Sequence, residues 1–507
     1  MTETKKEEAQ VSRRSYIKYG AAAVVVVAAG AGGAYYYSTM PSPTPPPPAT
    51  TTAAMTSSEV MTTAVPATSA AATNRLLHID PSAPPEGPLN FNMWNYHPEI
   101  VQKYATQFSQ ENPSAPPVNV AVIGGNYSQA METKFMAHAP VDIYYAQSAV
   151  PATMYYAGWA EVLDDLPTLN DIEGDLDPSF KKYITYDNHV IGLPYFTTPT
   201  VIFMNHDVVS KYGYGYPSYP ETFTDLYDEL HDMVKKGVKY PYLPLWTNDE
   251  GVAPGAQFQL FFEAQVEGDD LFDSSGNPTF DTNTPIADVM KAWQSLVSDK
   301  CVDPGTLDAP YAQWTTWFSS GQYPVVEEWL YDLGVLNGSG SPVQGKMEFV
   351  YPSSKQKTWG LNTPSIYMVY ARDRNVADHD AVLALESFFG YKDKAGDFLT
   401  AETFAKISML NSGYTAVNTD PAVKSTWVGN KWLINDSDFD QVAPLLANSP
   451  SDLPFMRWAW GQSFASQIAP TVQEMIVGKM SVNDTVASLR KAASDLNAEY
   501  GLGKPPS

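Results

Sequence analysis

The sequence predicts an α/β fold built on a doubly wound sheet, because strand and helix patterns alternate from about Pro88 onward. Three runs predict strands: "LNFNMW" (Leu89–Trp94), "VNVAVIGG" (Val118–Gly125) and "VDIYYAQ" (Val141–Gln147). A β-α-β-α-β order favours a sheet with helices packed on its faces. Ligands of such sheets bind beyond the carboxyl ends of the strands, so residues at those ends are the first candidates for a site.

Helix patterns fill the segments between these strands. After the first strand, Pro98 suits a first helical turn, and Tyr104 and Phe108 follow on one face. Met131 and Phe135, after the second strand, are also spaced by four residues. The first part of the body therefore alternates strand with amphipathic helix.

The middle and the C-terminal part of the chain also contain strand and helix patterns. "DNHVIGLPYFTTPTVIFMNHD" predicts two extended runs, broken at Pro194 and Pro199. "ETFTDLYDELHDMVKKG" predicts an amphipathic helix with Gly237 as its C-cap. A pair of helices follows near the C-terminus, the second with Ser481 as N-cap. The apolar face of the middle helix is predicted to consist of Phe223, Leu226, Tyr227, Leu230 and Val234.

Composition narrows the class of protein. The 507 residues include 56 Asp and Glu against 31 Lys and Arg, a formal net charge of −25, which argues against nucleic acid and anionic lipid as partners. The single cysteine, Cys301, excludes an intramolecular disulfide framework and is expected in the core. Only 17% of residues are charged, and together with the acidic balance this suggests an acidic environment.

The N-terminal segment predicts export. Residues 1–18 are basic and contain "SRRSYIK" (Ser12–Lys18), which resembles a twin-arginine export signal; residues 19–37 carry no charge and are long enough for a membrane-spanning helix. Residues 38–87 form a Ser/Thr/Pro-rich segment that predicts a disordered stalk. We therefore expect an anchored body on the extracellular face of the membrane, or a secreted one if the signal is cleaved.

Motifs for catalysis and cofactors are missing from the sequence. "GSPVQGKM" (Gly340–Met347) fails as a phosphate-binding loop because Met347 replaces the hydroxyl residue and Pro342 removes a backbone donor. The seven histidines have no metal-ligand spacing, and adjacent carboxylates such as Glu327–Glu328 point to opposite faces of a strand. We expect no enzyme activity, metal or cofactor.

Aromatic residues are abundant and several stand beside amides at predicted strand ends or loops. The stretches are "MWNY" (Met93–Tyr96), "YYAQ" (Tyr144–Gln147), "LWTND" (Leu245–Asp249) and "EEW" (Glu327–Trp329). A flat ring offers an apolar platform to the C–H face of a sugar, while amides and carboxylates bond its hydroxyls. This mixture suits a neutral polyol better than a phosphate.

The body, from about Pro88 to Gly501, resembles the extracellular solute-binding family that includes maltose-binding protein, the substrate-binding components of ABC importers. The resemblance rests on the order and spacing of several stretches rather than on one motif. They are "VDIYYAQSAVPATMYYAGWAEVLDDL", "VIGLPYFTTPTVIFMNHDVVSKYG", "YPETFTDLYDEL", "LFDSSGNPTFD", "FSSGQYPVVEEW", "GYTAVNTD" and "EMIVGKMSVNDTVASLRKAASDLNAEYG".

This resemblance implies two α/β lobes joined by hinge crossings. It places lobe I at residues 88–196 and 360–410 and lobe II at residues 197–359 and 411–503. The crossings would lie near Pro194–Pro199, Trp359–Pro364 and Asn411–Val417. Such lobes close around a ligand by hinge motion.

The resemblance also implies a set of ligand contacts. "EEW" departs from the Gly-Pro-Trp usual in the family, and Thr198 stands where maltose-binding protein has a glutamate, so the particular sugar is left open. The implied contacts are Trp94, Asn95, Tyr145, Gln147, Tyr195, Trp246, Trp329, Tyr414 and Trp458.

A monomeric body that binds a neutral mono- or oligosaccharide and delivers it to ABC importer permease subunits is the leading hypothesis. A peptide-binding or polyamine-binding protein of the same fold is the first alternative, since the acidic balance would suit a polyamine. A surface glycoside hydrolase, with a carboxylate pair assembled from distant residues, is the second alternative.

Overall fold

Two mixed β-sheets with helices packed against them form the protein in a computed structural model. The structure describes residues 79–500, apart from residues 85, 125–126, 247–254, 308 and 310. The strands are β1 (Ile79–Asp80), β2 (Leu89–Trp94), β3 (Val118–Ile123), β4 (Ile143–Gln147), β5 (Thr185–Tyr186), β6 (His189–Val190), β7 (Leu193–Phe196), β8 (Thr200–Asn205), β9 (Tyr242–Leu243), β10 (Val325–Trp329), β11 (Met347–Phe349), β12 (Ser365–Val369) and β13 (Arg374–Asn375).

Helices separate most of these strands. The α-helices are α1 (Pro98–Glu111), α2 (Tyr127–Met136), α3 (Val150–Tyr156), α4 (Leu169–Asp175), α5 (Pro178–Ile184), α6 (His206–Val209), α7 (Phe223–Lys235), α8 (Ala256–Val266), α9 (Pro285–Ser298), α10 (Tyr311–Ser319), α11 (Leu333–Asn337), α12 (Val376–Gly390), α13 (Leu399–Ser408), α14 (Thr415–Asn418), α15 (Pro421–Gly429), α16 (Val442–Asn448), α17 (Gly461–Ile476) and α18 (Val482–Tyr500). Short 3₁₀ turns cover Ser210–Tyr212, Pro304–Thr306, Leu330–Asp332, Asp436–Gln441 and Pro454–Arg457.

The first sheet contains the three strands predicted at the start of the body. Its order is β3-β2-β4-β12-β7. β2 pairs in parallel with β3 and β4, whereas β12 runs antiparallel to both β4 and β7. The carboxyl ends of β2, β4 and β7 therefore share one edge of the sheet with Ser365, the first residue of β12.

The second sheet has the order β11-β8-β10-β9. β8 is antiparallel to β10 and β11, and β10 is parallel to β9. Trp329, the last residue of β10, is opposite Thr200, the first residue of β8. Both residues therefore lie at the end of the sheet where the chain enters from the first sheet.

The expected break at Pro194 is wrong, because Pro194 lies inside β7 opposite Ile366. β7 is an edge strand of the first sheet, and an edge strand tolerates the missing N–H of proline on its unpaired side. The break at Pro199 is confirmed: it lies between β7 and β8.

The middle and C-terminal helices follow the predicted patterns. α7 buries Met233, while Val234 is only partly buried, and Gly237 has a left-handed φ of 94° just after the helix. Ser481 accepts a hydrogen bond from the Asp484 N–H (3.1 Å), which confirms the predicted N-cap of α18. Cys301 is buried, as expected.

The segments that join the two sheets run side by side. The chain passes from β7 to β8 through residues 197–199, and from the second sheet back to β12 through residues 359–364. The Thr197 N–H donates to the Asn411 carbonyl (2.8 Å), and the Thr363 N–H donates to the Thr198 carbonyl (2.8 Å). These hydrogen bonds connect all three predicted crossings, although the exact lobe boundaries stay a prediction.

Gly360 in the second crossing leaves no room for a side chain. A Cβ there would lie 1.7 Å from Thr200 Oγ1 and 2.8 Å from the Thr200 carbonyl oxygen. We expect Gly360→Ala to lower the free energy of unfolding by about 2 kcal/mol or more, as overpacking does, in chemical denaturation. Gly429→Ala is the matched control, because a Cβ at Gly429 meets nothing within 4 Å. Equal stability of Gly360→Ala and the wild type would contradict this packing.

None of the helices in the described part of the chain is long and apolar enough to cross a membrane. The predicted export motif in residues 1–18, the predicted anchor at residues 19–37 and residues 38–78 of the predicted stalk lie outside the described residues.

Candidate ligand-binding site

An aromatic surface lies at the carboxyl edge of the first sheet. Trp94 ends β2 with 38% of the residue exposed. Its ring is nearly parallel to that of Tyr96 (centroids 6.0 Å apart, 10° between planes) and to that of Tyr145 in β4 (6.5 Å, 11°). Asn95, between them in sequence, is exposed. The strand pairing thus brings three predicted contacts together.

Polar groups border this aromatic surface. The Tyr145 hydroxyl donates to Gln147 Oε1, and the Ser365 hydroxyl donates to the same oxygen at 3.4 Å. The Gln147 amide oxygen is therefore engaged within the protein, while its amide nitrogen makes no hydrogen bond within the described chain. A ring face beside a free amide donor suits a hydroxylated ligand.

Tyr127 supports the position of Tyr145. Its hydroxyl donates to the Asn92 carbonyl (2.7 Å) and accepts from the Tyr145 N–H (2.9 Å). Burial raises the pKa of Tyr145 well above its ordinary value, so its phenol is neutral at working pH and can donate and accept hydrogen bonds.

Tyr195, near the end of β7, adds a third phenol to the edge. Its ring meets Tyr145 edge-on (5.6 Å) and Phe404 edge-on (5.1 Å). Among the residues that the structure describes, its buried hydroxyl has no hydrogen-bond partner. Burial raises the pKa of Tyr195 well above its ordinary value, so this group is also neutral.

Trp329 occupies the corresponding end of the second sheet. It is 6% exposed, and its ring is nearly parallel to that of Tyr331 (6.0 Å, 12°). The next residue, Leu330, donates its N–H to the Pro199 carbonyl (2.9 Å). This hydrogen bond holds the end of β10 against the first crossing.

Three other predicted contacts lie within hydrophobic cores. Each of Trp246, Tyr414 and Trp458 is 1% exposed. Trp246 stacks on Trp293 (4.1 Å), Trp458 meets Phe272 edge-on (5.0 Å), and the Tyr414 hydroxyl donates to the Gly390 carbonyl (2.6 Å). Their contact with a ligand stays a prediction, and they do not join the aromatic surface around Trp94.

Carboxyl groups beside Trp329 are buried and tend to be neutral. Burial raises the pKa of Glu327 to about 7 and that of Asp332 to about 8. Burial also raises the pKa of Glu328 well above its ordinary value. None of the site residues named above carries a cationic side chain. The site therefore favours an uncharged ligand over an anion.

The sequence prediction missed several supporting residues. Tyr127 is in a helix after β3, Ser365 opens β12 far along the chain, and Phe404 is in α13. Tyr96 could have been chosen as a candidate, because it stands in the quoted stretch "MWNY", two residues after the end of the first predicted strand. Within the described chain, no group of three or more His, Cys, Asp or Glu residues could hold a metal ion.

Two mixed α/β units, hydrogen-bonded crossings between them, and an aromatic surface at strand ends define a two-lobe solute-binding protein. The family model described as bacterial extracellular solute-binding protein matches residues 94–371, more than half of the chain. The chain therefore belongs to this family. A search of curated protein sequences found no match.

Solved structures share the fold at low sequence identity. A maltose-bound MalE3 of T. maritima matches with a TM-score of 0.66 and 17% identity, over 81% of this chain and 99% of that one. A solute-binding protein from Thermotoga lettingae with bound α-D-tagatose has a TM-score of 0.64 and 15% identity, over 82% and 100%. One from Agrobacterium vitis with bound D-mannitol has a TM-score of 0.62 and 15% identity, over 82% and 99%. At such identities the likeness shows the fold alone.

Proposed function

We propose that the protein captures a neutral saccharide or polyol outside the cell and delivers it to an ABC importer, without catalysing a reaction. The observation that carries this proposal is the exposed Trp94 ring beside Tyr145 and Gln147 at the strand ends. The indole supplies an apolar face for C–H groups, and the phenol and amide supply hydrogen bonds for hydroxyls.

Charge supports an uncharged ligand. The chain carries a formal net charge of −25, which repels anions, and the named site residues include no lysine or arginine. Three of the structural neighbours hold maltose, D-mannitol and α-D-tagatose, which are uncharged and rich in hydroxyls.

Binding would act by shifting a hinge equilibrium. The three crossings lie side by side, so small backbone rotations there would move one sheet relative to the other. A ligand that contacts both lobes stabilises the closed form, and the closed form is what the permease subunits would recognise. The body would work as a monomer on the outer face of the membrane.

A panel of saccharides and polyols tests the proposal on the full chain. Bound ligand raises the apparent unfolding temperature, so thermal shift identifies hits and calorimetry measures their affinity. The panel should include maltose, maltotriose, xylobiose, chitobiose and D-mannitol, together with a peptide mixture and spermidine. Binding of a peptide or spermidine alone, or sustained release of reducing ends from oligosaccharides, would contradict the proposal.

Trp94→Ala should weaken binding of the best saccharide by about tenfold, since loss of an aromatic platform costs roughly 1.4 kcal/mol. Calorimetry on both proteins measures the change. Tyr500→Ala is the matched control, because Tyr500 is similarly exposed (42%) but lies at the end of α18. Unchanged affinity of Trp94→Ala would remove this ring from the site.

A further inference from the structure

Two buried carboxyl groups stand directly behind Trp329. Glu328 is fully buried in β10, and Asp332 is 5% exposed in the 3₁₀ turn that follows the strand. The only residues between them are Trp329, Leu330 and Tyr331. The two buried residues therefore flank, in the sequence, the segment that carries the indole and its stacked phenol.

Hydrogen bonding connects this pair to Trp329. The Trp329 N–H donates to Glu328 Oε1 (3.0 Å). Within the described part of the chain, no N–H or O–H group donates to the other oxygen of Glu328 (Oε2) or to one oxygen of Asp332 (Oδ2). A proton on Glu328 allows it to donate to Asp332, so one shared proton satisfies both buried groups.

No cationic group among the described residues acts on the pKa of either carboxyl. The charges that raise the pKa of Glu328 are the acidic ones of Asp332 and Glu327, whereas a hydrogen bond with Glu328 lowers the pKa of Asp332. β8, on one side of β10, has no titratable residue. On the other side, Tyr242 of β9 donates its hydroxyl to Glu327 (3.2 Å) and not to the pair. A second ionised carboxylate would thus remain uncompensated.

We propose that Glu328 and Asp332 form a positioning pair, which holds Trp329 in its binding orientation only while the two carboxyl groups keep at least one proton between them. This inference rests on the proposed function, because it takes Trp329 as a contact of the captured saccharide. It makes capture dependent on pH: strong in acid and weak in alkali.

The direction of this pH dependence follows from electrostatics. Burial raises the pKa of Asp332 to about 8 and the pKa of Glu328 further above its ordinary value. Below that range both carboxyl groups are protonated, the pair is neutral and its hydrogen bond is intact. Above it, two anions in a buried site repel each other, and the turn Leu330–Asp332 must rearrange to admit water. The rearrangement moves Trp329 and Tyr331.

The first experiment needs no ligand. Tryptophan fluorescence of the full chain is titrated from about pH 5 to about pH 10, and the Trp329 contribution is obtained by subtracting the Trp329→Phe variant. We expect a Trp329-dependent transition with a midpoint near or above the pKa of about 8. Glu328→Gln and Asp332→Asn, which keep the shape but cannot form two anions, should lack it. Glu263→Gln, in which a buried carboxyl of raised pKa on α8 is replaced, should keep it.

No transition in the wild type, or an unchanged transition in both pair variants, would overturn the proposal. A merely structural role would lower stability in Glu328→Gln without changing the pH profile of the indole. If Glu328→Gln fails to fold, Asp332→Asn decides the question by the same readout.

The second experiment measures affinity for maltotriose and D-mannitol by calorimetry at about pH 5 and at a pH above the midpoint of the fluorescence transition. We expect wild-type affinity for the better probe to fall by about tenfold, equivalent to one pKa unit, and Glu328→Gln to change by less than about twofold. Equal pH dependence in both proteins would overturn the proposal. If no saccharide or polyol of the panel binds but the fluorescence transition is present, the pair is supported and the proposed saccharide function is contradicted.

Discussion

The unliganded protein is expected to be most stable near pH 5 and to lose on the order of 5 kcal/mol of its free energy of unfolding by about pH 9. Several buried carboxyl groups cause this loss. Burial raises the pKa of Glu263 to about 8, that of Glu327 to about 7 and that of Asp332 to about 8. Burial also raises the pKa of Glu328 and Glu386 well above the ordinary value.

The sign of the effect follows from proton binding. A carboxyl whose pKa is raised in the folded state binds its proton more tightly there than in the unfolded chain. Its stabilising contribution is complete below the unfolded pKa near 4.5 and is lost as pH rises through the folded value, here about 7 to 8. His379 acts in the same direction, since its hydrogen bond with Glu161 raises its pKa.

Chemical denaturation at a series of pH values measures this profile. Glu263→Gln should flatten it, because an amide in place of the carboxyl still bonds Tyr227 and Trp293 but does not titrate. Greater stability at about pH 8 than at about pH 5 would show that these groups are paired or hydrated in solution, and would also contradict the acidic environment suggested by the composition.

Arg457→Met is expected to lower the free energy of unfolding by about 3 to 5 kcal/mol. The Arg457 guanidinium is almost fully buried and donates to the Lys182 carbonyl (2.8 Å), the Tyr183 carbonyl (2.9 Å) and the Thr185 carbonyl. These carbonyls lie at the end of α5. The central carbon of the Arg457 guanidinium also lies 4.1 Å from the centre of the Tyr186 ring.

The large loss of stability comes from the buried groups that Arg457→Met would deprive of a partner. Arg457 Nε lies 3.3 Å from the buried Asp452 carboxylate, which would keep only the exposed Lys182 ammonium as a partner (3.2 Å). The buried hydrogen bond to the Tyr183 carbonyl would be lost, whereas the Lys182 carbonyl would keep the Thr185 N–H as a donor. Loss of a partner is costly for a buried acceptor.

Lys182→Met is the matched control, because it removes only an ammonium whose side chain is 72% exposed. We expect it to change stability by less than about 1 kcal/mol. Arg457→Lys keeps the charge but cannot donate to three carbonyls at once, so an intermediate loss is expected. Denaturation curves in which Arg457→Met resembles Lys182→Met would show that the guanidinium contributes little.

The fold class could be predicted because strands and helices leave periodic patterns in a sequence. β2, β3 and β4, with α1 and α2 between them, all lie where the patterns placed them. The placement of β12 could not be predicted, because it pairs with strands far away in the chain: Ser365 and Gln147 are 218 positions apart. Pro194 was misjudged for a related reason, since only the pairing shows that β7 is an edge strand.

Some residues of the candidate site could likewise be predicted from the sequence, and others could not. Trp94, Tyr145, Gln147 and Tyr195 were chosen because they stand at or near strand ends, and the structure brings them to one edge of the first sheet. Trp246 carries a similar sequence signal, yet it stacks on Trp293 within a core.

The sequence by itself determined the order of strands and helices, the acidic balance and the strand-end residues from which a site could be built. Hydrophobic periodicity and composition are local properties of the chain, so they can be read without knowing the fold. Only the tertiary structure decided which aromatic rings share a surface, which are enclosed, and that Glu328 and Asp332 are both buried and interact with each other. Those outcomes depend on the pairing and packing of elements distant in sequence, and a residue's neighbours in space determine its exposure and its pKa.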